Sequence, residues 1–146
     1  MAYRWQTSCS LSGAKRQSVS RAVFDASAIL ALIQSERGAD ELTQQIRASA
    51  VASSVNMAEV QGKLVLNGWD PDIAWEDALS CVADVEPQTA SQARQAGTLA
   101  RNTKQYGLSV GDRSCLALAI ELNAEIYTTD KLWKNLKLGV PIHVIR

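Results

Sequence analysis

Histidine is nearly absent from this chain of 146 residues: His143 is the only one, set in the apolar run 140–145. One imidazole excludes paired-histidine acid–base chemistry within a chain. A Ser-His-Asp arrangement would have to use this residue, and a strand position with the ring satisfied by a backbone group accounts for it better. Cysteine is scarce and odd in number. Cys9, Cys81 and Cys115 show no C-x-x-C spacing, which argues against a disulfide framework or a structural zinc site. Cys81 and Cys115 fall in apolar helical patterns and are expected as buried thiols of a cytoplasmic protein. An excess of either charge is missing too. The formal net charge is zero, so any nucleic-acid contact would need a local basic patch rather than a global field. No stretch approaches the ~20 apolar residues that cross a bilayer. Trp5, Trp69, Trp75 and Trp133 lack the regular spacing of a base-stacking platform, and Trp75 and Trp133 are expected as core or interface anchors. Whatever chemistry the chain performs is left to carboxylates.

A hydrophobic content of 47% with 21% charged residues fits one ordinary globular domain with a core of its own. Residues 1–20 stand apart as a polar, Ser- and Arg-rich tail with no acid before Asp25. It reads as a loose tail, a start codon placed too early, or an organelle transit segment. The domain is expected over residues 21–146. Residues 22–24 form a short buried strand, 28–33 begin a helix that ends near Gly38, 39–49 form a second helix and 51–53 a brief strand. Ser54 is the candidate cap of a helix reaching residue 66, and Asp70-Pro71 opens another with a cap and a proline at its first position. A weak strand at 83–85, a long helix over 88–105, a helix over 110–122 capped by Ser109, a strand at 125–128, a short helix at 131–136 and a strand at 142–145 complete the pattern. Strands alternating with helices predict a three-layer α/β/α domain with a mainly parallel sheet of four or five strands.

Four acids occupy four separate local contexts. Asp25 follows Ala22-Val23-Phe24 and opens Asp25-Ala26-Ser27-Ala28. Glu59 ends Asn56-Met57-Ala58-Glu59, Asp112 lies in Leu108-Ser109-Val110-Gly111-Asp112-Arg113, and Asp130 ends Thr128-Thr129-Asp130. Each has an everyday explanation. Asp25 and Asp130 suit helix caps, Ser109 and Asp112 match a capping box, and Glu59 stands i, i+4 before Lys63. Taken together they say more. Acids that follow strands, or that open the helices after them, share the carboxyl edge of a parallel sheet, where such folds bind ligands. Carboxylates gathered there cannot all stay ionised without a cation. Hard divalent ions are held by such oxygen ligands together with substrate phosphates.

These four segments resemble the motif set of PIN-domain nucleases, and among them the ribonuclease toxins of VapBC toxin–antitoxin pairs. The similarity runs from about residue 22 to the end of the chain. It implies that Asp25, Glu59, Asp112 and Asp130 ligate one or two Mg²⁺ or Mn²⁺ ions, directly or through water, with Ser27 and Thr128 as supporting hydroxyls. It implies cleavage of single-stranded RNA to a 5′-phosphate and a 3′-hydroxyl, a small DNA-binding antitoxin as partner, and a homodimer joined through helices on one flank. A haloacid-dehalogenase-type phosphatase would want an acid where Ser27 stands, and a receiver domain would want an acidic neighbour to Asp25. An RNA-processing nuclease without an antitoxin and a non-catalytic binding module are the alternatives.

Beside the acids, Arg113 is a candidate phosphate contact or carboxylate partner. Lys131 and Lys134, one turn apart, either steer RNA or form a solvated face. Asp70, Asp72, Glu76 and Asp77 read as helix N-terminal acids favoured by the dipole.

Overall fold

The structure, a computed structural model, describes residues 20–146. Apart from Ser20, the polar tail expected over 1–20, with Trp5 and Cys9, lies outside the described residues.

Five parallel strands make one sheet in the order β3-β2-β1-β4-β5: β1 Ala22–Phe24, β2 Ala50–Ser53, β3 Asp84–Glu86, β4 Glu125–Thr128 and β5 Ile142–Val144. Strand order reverses between β1 and β4, and the crevice outside their carboxyl ends is the topological switch point where open α/β sheets bind ligands. Register sets what faces that crevice. Phe24 pairs with Tyr127, so the next residues along, Asp25 and Thr128, leave the sheet side by side.

The alternation of side chains divides the core in two. Ala22 and Phe24 of β1 face one layer, built on α1 (Ala26–Ile33), α3 (Ser54–Leu66) and α4 (Pro71–Ser80). Val23, Val51 and Ile126 face the other, filled from α7 (Val110–Leu122) and from Trp133 and Leu136. Both layers are apolar, which is why the central strands β1 and β2 are short, nearly continuous hydrophobic runs buried along their length. The three-layer architecture expected from the sequence is the one observed, with the fifth strand present. Among the described residues no helix is long and apolar enough to cross a membrane.

Several boundaries differ from expectation for identifiable reasons. Residues 39–49 are not one helix. They form a 3-10 turn, Ala39–Glu41, and a separate α2, Gln44–Ala48, because Thr43 turns its hydroxyl onto Ile46 N and starts a new helix. The long helix over 88–105 is also divided, into α5 (Ala90–Thr98), α6 (Ala100–Thr103) and a 3-10 turn, Lys104–Tyr106. Gly97 weakens that helix just where Leu99 is drawn into the core. The cap of α3 is Ser53 rather than Ser54, with Ser53 Oγ accepting from Val55 N at 3.2 Å. The helix over 131–136 is a 3-10 turn, Lys131–Asn135. His143 finds a carboxylate instead of a backbone group: its Nε2 lies 3.4 Å from Glu125 Oε2, and its ring stacks on Tyr127. Asp70, by contrast, caps α4 with Pro71 at its first position, as the sequence predicts.

Trp133 is fully buried and fixes the turn after β4 against α7. Trp133→Ala is expected to cost about 3–5 kcal/mol, read as a lower urea midpoint at an unchanged slope. A loss below about 1 kcal/mol would show that the tryptophan does not anchor this layer.

Candidate active site

Asp25 is the most constrained of the four acids. The end of β1 carries it into the protein, where it is 3% exposed, and its backbone N–H still bonds Tyr127 O at 3.2 Å. Its carboxylate accepts three hydrogen bonds. Ala28 N (2.8 Å) and Ser27 Oγ (2.7 Å) donate to Oδ1, and Thr128 Oγ1 (2.6 Å) donates to Oδ2. Asp25 is thus the N-cap of α1, the dull role foreseen for it, and also a buried anion tied to two strands. Burial is the largest influence on its acidity, opposed by these hydrogen bonds and reinforced by the nearby Asp112 charge. The balance lifts its pKa from 3.8 to about 6. Ser27 and Thr128 both hold the Asp25 carboxylate. Their hydroxyls lie 3.3 Å apart, and they accept the N–H groups of Thr129 and Asp130 at 2.9 and 3.1 Å.

Glu59 and Asp112 meet through the contact of α3 with α7. Gly111 makes that contact possible, because a Cβ at this position would overlap the Glu59 carboxylate. Asp112 closes the capping box with Ser109: Ser109 N donates to Asp112 Oδ2 at 2.9 Å, and Asp112 N to Ser109 Oγ at 3.2 Å. This leaves Oδ1 for another partner. No ion pair joins Glu59 to Lys63 among the described residues, so the helix-pair explanation of Glu59 does not hold. Beneath the group lies the buried thiol of Cys115. Its pKa is raised well above the ordinary value, first by burial and then by the charges of Asp25, Asp112 and Glu59. Asp25, Asp112 and Glu59, from three elements, thus all lie near enough to Cys115 for their charges to act on its thiol.

Asp130 is half-buried, as Glu59 and Asp112 are. It caps the 3-10 turn by accepting from Leu132 N at 2.9 Å, and it joins the others through Thr128. Lys131 and Lys134 are exposed on that turn. Arg113 bonds the carbonyl of Leu108 (Nη1–O 3.2 Å), which holds the loop in front of α7, and it forms no ion pair with a site carboxylate among the described residues.

A residue given no role from the sequence alone is Asn56. Fully buried, it donates from Nδ2 to Glu59 Oε2 (3.3 Å) and to Gly111 O (3.0 Å), and so fastens α3 to α7 at the carboxylates. Its position three residues before Glu59 on one helix was the available signal.

The PIN domain family matches residues 22–138. The chain belongs to the PIN domain family. Solved structures with the same fold include VapBC2 from Rickettsia felis bound to a promoter DNA fragment, at 18% identity over 84% of this chain and 96% of that chain, TM-score 0.65. A toxin–antitoxin complex from Klebsiella pneumoniae matches at 18% identity over 86% and 98%, TM-score 0.66. DNA-bound VapBC from Salmonella typhimurium matches at 14% identity over 86% and 98%, TM-score 0.68. No curated protein matches the chain by sequence.

This PIN domain offers a metal an all-oxygen donor set. It also holds an orphaned buried acceptor, Asn56 Oδ1, which has no protein donor and would suit an ordered water. Among the described residues no three Asp, Glu, His or Cys side chains stand close enough to hold an ion by themselves. Oxygen donors are the ligand type that hard divalent cations take.

Two outcomes are expected of this PIN domain. The folded pKa of Asp25 lies above its unfolded value, so its burial costs nothing below about pH 4, where both states are protonated. The cost is complete above about pH 6 and amounts to roughly 3 kcal/mol at 1.36 kcal/mol per unit. Asp25→Asn should therefore stabilise the metal-free protein at pH 7.5, with the gain vanishing near pH 4. Urea unfolding in EDTA across this range checks it, and a variant no more stable at pH 7.5 refutes it. Asn56→Leu leaves Glu59 and the Gly111 carbonyl without their donor, and should lower stability by about 1–3 kcal/mol in the same assay.

Proposed function

We propose that the chain is a Mg²⁺-dependent endoribonuclease and the toxin of a toxin–antitoxin pair, with a small DNA-binding antitoxin as partner, a homodimeric state and a cytoplasmic location. The observation that carries the reading is the buried Asp25 carboxylate at the β1–β4 switch point, its pKa raised to about 6, with Asp112 and Glu59 close by. Membership of the PIN family and a fold like that of solved toxin–antitoxin complexes support it.

Asp25, Glu59, Asp112 and Asp130 are the residues that would hold the metal, directly or through water. Bound Mg²⁺ or Mn²⁺ supplies a water of lowered pKa as nucleophile and offsets charge on the phosphate oxygens. The chain's own residues keep the ligands in place. Ser27, Ala28 N and Thr128 orient Asp25, Asn56 orients Glu59, and Ser109 orients Asp112. Fixed ligands hold the reacting groups in one geometry and spare the orientational entropy of assembling them. Lys131 and Lys134 draw the phosphate backbone toward Asp130. Hydrolysis of the phosphodiester leaves a 5′-phosphate and a 3′-hydroxyl, without need of histidine.

A second reading, a PIN domain that binds RNA without cutting it, is favoured by the lack of a closed three-ligand cage among the described residues. Incubation of cellular RNA with the full chain in Mg²⁺ or Mn²⁺, with mapped ends, separates the two. Catalysis gives discrete 5′-phosphate ends that disappear in EDTA and fall at least about 100-fold in Asp25→Asn. Identical patterns from wild type and Asp25→Asn would remove the catalytic claim and leave the binding module.

A further inference from the structure

Although the net charge is zero, the charges are segregated along the chain. From Asp40 to Glu86, acids outnumber the two bases, Arg47 and Lys63, by more than four to one. No acid occurs from Pro87 to Gly111, where Arg94, Arg101 and Lys104 fall. None occurs from Lys131 to Arg146, which holds Lys131, Lys134 and Lys137 as well. The second cationic stretch begins directly after Asp130. The first ends one residue before Asp112.

Packing brings the two stretches to the same face of the sheet. Leu99 and Leu108, on either side of α6 and its following turn, lie in one buried cluster with Trp133 and Leu136 of the turn after β4. Thr103 is buried, with its hydroxyl donating to Leu99 O at 2.8 Å, so the inner side of α6 is anchored. The outer side presents Arg101, Asn102, Lys104 and Gln105, all exposed, around a shallow concavity of about 660 Å³. Neither cation forms an ion pair among the described residues. From Lys104 the chain needs five residues to reach Ser109, whose N–H bonds the Asp112 carboxylate, a span of at most about 18 Å at full extension.

We propose that Arg101 and Lys104, with the amides of Asn102 and Gln105, form a second cationic arm that grips the phosphate backbone of the RNA strand whose scissile bond lies at the carboxylates; this rests on the nuclease reading above. Lys131 and Lys134 form the first arm, on the Asp130 side. The strand is held on both flanks by segments free of acids, while the acid-rich α4, with Asp72, Glu76 and Asp77 and no base, repels it. A solvated helix face would explain one lone cation. It does not explain an acid-free stretch that ends beside Asp112 and shares its anchoring cluster with the other cationic segment.

Binding of a labelled, mixed-sequence single-stranded oligoribonucleotide tests the arm by fluorescence anisotropy at several salt concentrations. The full chain carries Asp25→Asn, so that the probe survives in Mg²⁺. Each phosphate contact on a single strand contributes about 0.7 to the slope of log K against log salt. Arg101→Ala with Lys104→Ala should therefore flatten the slope by about 1.4 and weaken binding about 25-fold near 0.1 M salt. Lys63→Ala, on the acidic half, should leave the slope unchanged. In the chain with Asp25 intact, the double substitution should raise KM and leave kcat within about twofold, as lost uniform binding does. An unchanged slope in the double variant, or an equal flattening in Lys63→Ala, overturns the arm. If the unsubstituted chain cuts RNA while either result holds, only the arm has failed. If it neither cuts nor binds RNA, the nuclease reading fails and takes the arm with it.

Discussion

Everything around the candidate site depends on one costly placement, a carboxylate buried at the end of the central strand. An anion taken out of water is unfavourable unless donors replace its hydration. Asp25 has three, and one of them, Thr128, lies 103 positions away in the chain. The parallel pairing of β1 with β4 must therefore hold its register, since a slip of one residue would turn Thr128 away and leave a buried oxygen without its donor. Even with all three donors in place, the charge is not fully accommodated, as the raised pKa of Asp25 records. A nearby cation would offset that cost.

Further acids are pressed against that one by close helix contact rather than by local sequence. The approach of α7 to α3 requires the missing side chain of Gly111, and Asn56 locks it by donating to both partners. Cys115 lies beneath three negative charges and stays a buried thiol, since both burial and those charges disfavour the thiolate. Capping explains part of the same geometry. Asp25, Asp112 and Asp130 each serve a helix or turn start while keeping an oxygen or a lone pair directed elsewhere. The everyday and the functional explanations of these acids are therefore compatible, because a helix N-terminus at a sheet's carboxyl edge favours anions for both purposes.

Charge segregation gives a neutral chain a polarity. Acids are concentrated between Asp40 and Glu86, and the stretches bordering Asp112 and Asp130 contain none apart from those two, Glu121 and Glu125. The acid-free stretches fall on α5, α6 and the segment after β4, and the acids concentrate around α4. A local field of this kind orients a ligand without a high overall pI.

Much of this was readable from residues alone. Apolar runs flanked by acids located β1 and β4 at their observed bounds, Asp70-Pro71 and Ser109 marked two helix starts, and alternation of strands with helices gave the layer architecture. These are local signals, set by side-chain periodicity and by which groups can cap a backbone, and no distant contact alters them. Tertiary structure decided most of the rest. The expected helix over 88–105 divides where the core draws in Leu99, whereas the one over 39–49 divides at a local cap, Thr43. Propensity differs by only tenths of a kcal/mol between neighbouring choices, and burial overrides it. The role of Asn56, the closeness of Gly111 to Glu59 and the joining of two cationic segments through one apolar cluster depend on residues far apart in the chain. Periodicity could name the four acids, but only packing decides that Asp25 is buried while Glu59, Asp112 and Asp130 stay half-exposed, because distances between elements are set by the side chains that fill the space between them.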